Sequence, residues 1–141
     1  MRDAFGGTFM IKVMLIFFVI FICFMTVAIN FAKTFRIKNN VITILEKTNT
    51  MDITKDENKD INQKIESYLQ KIAYSYGNNK YIKDDCDKRS GINVNGVCVV
   101  KKGTETERYY QVISYVVIES PLFDVSTALP VSGETKTIYE Q

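Results

Sequence analysis

Histidine is absent from the chain. Its absence removes the commonest general base and the commonest metal ligand, and leaves carboxylates, lysines and three cysteines as the groups available for catalysis. No nucleophile-and-base pair and no glycine-rich phosphate loop stands out, so the chain reads as a non-enzyme that uses no cofactor and no metal. Charge of one sign is lacking too. The 18 basic and 16 acidic side chains leave a formal +2, too weak a field to gather a polyanion, which argues against nucleic acid as a partner. Helix breakers are missing over a long stretch, with neither glycine nor proline between Thr8 and Thr50. At 141 residues there is room for one domain beyond a membrane segment.

Against these absences stands one strong presence. Val13 to Ile29 (VMLIFFVIFICFMTVAI) carries no charge, and Phe9, Met10 and Ile11 extend the run past Lys12. About 20 residues of helix cross a hydrocarbon layer of roughly 30 Å, so a single transmembrane helix over 9–32 is expected, with membrane lipid as its partner. Lys12 lies near one end, where its stem carries the ammonium to the interface. Two other readings compete. A buried helix of a soluble protein would need a comparable apolar partner downstream, and none follows. A cleaved secretory signal would use Arg2 and Lys12 as its basic region and Thr26-Val27-Ala28 near a cut. The run is longer than the usual apolar core of such a signal, and the residues after it continue a helical pattern.

With about 100° per residue, Phe31, Phe35, Ile37, Val41, Ile42, Ile44 and Leu45 fall on one half of a helix. Lys33, Arg36, Asn39, Asn40, Thr43, Glu46 and Lys47 fall on the other, with Thr34 and Lys38 as exceptions. One helix of about 40 residues, near 60 Å at about 1.5 Å per residue, is therefore expected. It is apolar all round at first and amphipathic as a stalk over 33–48. The polar stretch from Thr48 to Lys59 reads as a connector. Asp60 with Gln63 makes a capping box for a second helix, whose stripe is Ile61, Ile65, Tyr68, Leu69, Ile72 and Tyr76, with a stop at Gly77.

Beyond Gly77 the periodicity changes. Asn95-Gly96 between apolar stretches predicts a two-residue hairpin turn, and Arg108 to Glu119 (RYYQVISYVVIE) predicts a strand covered on both faces. Leu122 to Leu129 and Glu134 to Tyr139 are weaker strands, set apart by Pro130 and Gly133. Three or four antiparallel strands packed on the amphipathic half of the long helix give an α+β fold. The boundaries are 1–8 for a leader or flexible N-terminus, 9–32 for the membrane helix, 33–48 for the stalk and 49–141 for a small soluble domain.

Cys23 falls inside the apolar run and reads as a small hydrophobe. Cys86 and Cys98 flank a turn-rich segment. A disulfide there would close a loop of about a dozen residues, worth roughly 3 kcal/mol in the chain-entropy model. Two free thiols are the alternative, and zinc lacks the further ligands it needs. Asp84-Asp85-Cys86-Asp87 lacks the spacing and glycine of a calcium loop and reads as a solvated turn. A disulfide would place the domain in an oxidising exterior, whereas Lys33, Arg36, Lys38 and Lys47 after the apolar run would by charge alone place it in the cytoplasm. The extracytoplasmic orientation is preferred, because basic residues on a protruding helix have a second use against neighbouring subunits or anionic lipid.

A short polar leader with Gly6-Gly7, an immediate hydrophobic helix that continues as a stalk, and a small C-terminal sheet with a cysteine-closed loop resemble the type IV pilin and TadE-like pseudopilin group. The segment from Ala4 to Glu46, with Tyr- and Ile-rich strands ending in Val131-Ser132-Gly133-Glu134-Thr135-Lys136, looks like the TadE-like pilus proteins of low-GC Gram-positive bacteria. The resemblance covers the organisation of the whole chain through loose motifs. It implies a bacterial cell-membrane location, cleavage by a prepilin peptidase between Gly7 and Thr8, and assembly with like or unlike pilin-like subunits. A cytoplasmic ATPase and a membrane platform protein would drive that assembly. The helix set Phe31, Phe35, Val41, Ile42 and Leu45 is expected to carry stalk packing. Lys12 is a departure, because the fifth residue of such a mature chain is usually glutamate. The rival expectation from another class is a single-pass, membrane-tethered extracellular binding or sensing module.

Overall fold

A computed structural model of the chain describes residues 2–48, 59–104, 107–119 and 126–139. The chain divides into two compact units, residues 1–32 and 33–141.

Helix α1 spans Arg2–Thr48 without a break, as the lack of glycine and proline after Thr8 allows. Residues 2–8, expected as a leader or flexible N-terminus, are part of this helix, Gly6 and Gly7 included. From Gly6 to Ala32 no side chain is buried, and Phe9, Ile16, Phe17, Ile20 and Phe24 are among the large apolar groups left uncovered. The helix is long and apolar enough to cross a membrane.

The second unit is an α+β layer structure. After α1 come α2 (Lys59–Lys71), α3 (Lys80–Lys88), β1 (Ile92–Val94), β2 (Val97–Gly103), β3 (Glu107–Glu119), β4 (Ser126–Glu134) and β5 (Ile138–Tyr139). The strands form one antiparallel sheet in the order β1-β2-β3-β4, and β5 also pairs with β3. The predicted hairpin turn is present: Asn95 and Gly96 both have positive φ, 50° and 98°, the pair of left-handed residues that such a turn requires.

Alternation along the strands sends side chains to two cores. Val97, Val99, Tyr110 and Val112 pack with Ile37, Val41 and Leu45 of α1 and Ile61, Ile65 and Leu69 of α2. On the opposite face Cys98, Val100, Ile113, Tyr115, Val117 and Ala128 pack with Ile82 and Cys86 of α3. β3, the strand expected to be covered on both faces, lies between the two cores.

The structure corrects three expectations. The second helix ends at Lys71 rather than near Tyr76, because Ala73 turns the chain with φ 52° and Tyr74 leaves for the sheet. The acidic cluster at 84–87 is helical, inside α3, and not a turn. Pro130 and Gly133, expected to separate strands, both lie within β4. β4 is an outer strand, where a residue without an N–H is tolerated. Of the weaker strand placed at Leu122 to Leu129, residues 122–125 lie outside the described residues, as do residues 49–58 of the polar connector.

Candidate functional site

The stalk surface is built from the sheet-facing stripe of α1. Val41 and Leu45 are buried, Ile42 is half-buried, and Phe31 and Phe35 are exposed at 40% and 49%. The two polar exceptions on this stripe are contact positions. Thr34 is buried, and its carbonyl accepts a hydrogen bond from the Ser114 hydroxyl at 3.3 Å. Lys38 is buried too: its ammonium lies 3.8 Å from the centre of the Phe35 ring and donates to the Ser132 carbonyl at 3.4 Å. Gly133 makes room for it, since a Cβ there would stand 2.9 Å from Lys38 Cδ and 3.0 Å from Ile42 Cδ1. Further along, the Glu46 carboxylate accepts from the Lys136 N–H at 3.0 Å.

On the opposite face, Cys86 and Cys98 form a disulfide, with Cα atoms 5.6 Å apart and neither residue exposed. Gly91 closes over it. Its N–H donates to the Cys86 carbonyl at 3.0 Å, and a Cβ at this position would run into Cys98 Sγ. The sequence-read pair is thus brought together by α3 on one side and β2 on the other.

Sequence reasoning missed two polar anchors. The Tyr115 hydroxyl donates to Asp85 Oδ2 at 2.8 Å, and the same oxygen accepts from Arg89 Nε at 3.0 Å. Burial raises the Tyr115 phenol above its ordinary value, and the hydrogen bond to Asp85 with its negative charge raises it further. Tyr74 joins three segments. Its hydroxyl accepts from the Tyr115 N–H at 3.0 Å and shares its own proton between the carbonyls of Tyr115, at 3.0 Å, and Gly96, at 3.3 Å. Burial pushes its pKa up to about 12, against a partial offset from the Tyr115 backbone hydrogen bond. The signal for α3 was present: Asn79 caps it by accepting from Tyr81 N–H at 3.0 Å, and Ile82 and Cys86 are four apart. Nothing local marked Tyr74, whose partners lie 22 and 41 residues away.

These groups are structural in their geometry. Each of the two hydroxyls is satisfied by a backbone or carboxylate partner within the fold. A groove on α2 is lined by Asp60, Gln63, Lys64, Ser67, Tyr68 and Lys71, all from one helix. Among the described residues no group of three or more His, Cys, Asp or Glu could hold a metal ion. Gly7 and Thr8 lie inside α1, with open space where a Gly7 Cβ would be. No protein-family model, curated protein or solved structure matches the chain. What the surfaces offer chemically is packing: an uncovered apolar helix, and a sheet unit whose core includes the end of that same helix.

Proposed function

We propose that the chain is a membrane-anchored structural subunit of the pilin-like, TadE-like kind, with its sheet unit outside the cytoplasm, acting by helix packing in a pilus or pseudopilus assembly. One observation carries the reading. A single helix, α1, is apolar and uncovered over its first part, while Ile37, Val41 and Leu45 near its end belong to the core of the sheet unit. A removable signal has no reason to be continuous with a core element, whereas a subunit that moves from lipid into a helical bundle needs that continuity. The disulfide supports an oxidising exterior.

Mass spectrometry of the intact, non-reduced protein from its native membrane tests this reading. A chain beginning at Thr8, two protons lighter for the cysteine pair, is the expected result. A chain beginning at Ile29 removes the anchor. Surface filaments that never contain the chain, and that persist when its gene is deleted, exclude the assembly role. A monomeric soluble domain that holds a ligand would instead favour the tethered binding module.

A further inference from the structure

From Val13 to Leu45 the only charged side chains are Lys33, Arg36 and Lys38, all basic. They follow directly on the apolar run. Lys38 is buried and engaged with Ser132 and Phe35. Lys33 and Arg36 are exposed, and no carboxylate among the described residues pairs with either. The first acidic residue after them, Glu46, is held by the Lys136 N–H. In a helical chain, residues 33 and 36 stand about 6 and about 10 Å beyond Ile29 at about 1.5 Å per residue. The headgroup layer beside each hydrocarbon face is about 5 to 8 Å deep. A lysine or arginine stem spans the small remainder.

We infer that Lys33 and Arg36 bind the phosphate headgroups of anionic phospholipid where α1 leaves the membrane, fixing the depth of the helix in the leaflet. Two exposed cations with no carboxylate partner among the described residues are complementary to that surface, and an apolar run precedes them in the same helix. Neutral lipid offers no net charge to match them. The inference rests on the reading of α1 as a membrane anchor.

The test uses the full chain in nanodiscs. Incorporation into phosphatidylcholine discs tests the anchor alone. Lipid retained on release from discs of equal phosphatidylcholine and phosphatidylglycerol, counted by native mass spectrometry, tests the site. Phosphatidylglycerol should be retained in preference. The double substitution Lys33→Gln with Arg36→Gln should lower that retention by about fivefold per charge removed, while Lys33→Arg with Arg36→Lys should restore it and Lys102→Gln should leave it unchanged. Equal retention of the two lipids overturns the inference, as does a preference untouched by the double substitution. Displacement of phosphatidylglycerol by inorganic phosphate at equal concentration also overturns it, as does pairing of two chains through Lys33 and Arg36 in place of lipid. A chain that does not enter phosphatidylcholine discs overturns the anchor and this site with it.

Discussion

On one face of the sheet, α1 and α2 bury Ile37, Val41, Leu45, Ile61, Ile65 and Leu69; on the other, α3 buries Ile82 and Cys86. The first face has apolar area enough to hold its helices by packing alone, at roughly 1.5–3 kcal/mol for each fully buried aliphatic side chain. The second does not. A nine-residue helix with two buried side chains is too short to be stable by itself, and it is held by a disulfide and by the Tyr115 hydroxyl on Asp85. The contrast shows where apolar burial ends and covalent and polar fastening takes over within one small unit.

If that contrast is right, damage to the first face should unfold the whole unit and damage to the second should release α3 alone. Ile65→Ala removes a side chain with no exposure and should cost about 2–5 kcal/mol, read as a lower denaturation midpoint with all tertiary signals lost together. Cys86→Ser with Cys98→Ser should cost about 3 kcal/mol. Hydrogen exchange should then speed up at the α3 amides, while those of β2 and β3 keep their protection. Uniform loss of protection in the double serine variant would mean that the two faces are one cooperative structure, and the comparison would fail.

The two faces also differ in how much of them could be read beforehand. The α1 stripe from Ile37 to Leu45, the α2 stripe through Leu69, the Asn95-Gly96 turn and the β3 strand all carry local periodic signals, and local signals survive in a sequence. The disulfide was readable as one pairing of two cysteines in a turn-rich stretch. Pro130 and Gly133 misled because their usual meaning in a strand is reversed by context. Pro130 lies on the outer strand, and Gly133 is where Lys38 and Ile42 of α1 come close. Lys38 and Thr34 broke the helical pattern because they make contacts with strands some 80 to 94 residues further on. Tyr74 lay off the predicted α2 stripe, between Ile72 and Tyr76, and carried no signal of its own. Its role depends on Gly96 and Tyr115 converging on its hydroxyl, which no window of sequence contains.

Tyr74 is a polar fastening on the more apolar side, and it sharpens the comparison. Tyr74→Phe keeps the ring but leaves the Tyr115 N–H without its acceptor, so a loss of about 1–3 kcal/mol is expected in denaturant titrations. The same group sets an alkaline limit. Its folded pKa of about 12 lies above the ordinary 10.0. The unfolded chain therefore gives up this proton first, and the stability due to the neutral phenol is full below pH 10 and drains away as pH rises towards 12. Tyr115, also raised, acts in the same direction. Denaturation midpoints should fall over that window, and Tyr74→Phe should flatten the slope. An unchanged slope would show that the Tyr74 hydroxyl is not held as described.

The smallest effect is expected where the second face meets solvent. Arg89 pairs with Asp85 at 3.0 Å, with side chains 42% and 23% exposed, an i, i+4 pair that water and salt screen. Arg89→Gln should cost well under about 1 kcal/mol. Tyr115→Phe removes a partner of the same Asp85 oxygen from the buried side and should cost more, about 1–2 kcal/mol. A double-mutant cycle in low and high salt separates the two. If the Tyr115–Asp85 bond is the fastening, its loss should be nearly independent of salt, whereas the Arg89 effect should fade as salt rises. The reverse ranking would make the surface ion pair the element that docks α3, and the contrast between a buried polar fastening and a solvated rim would have to be abandoned.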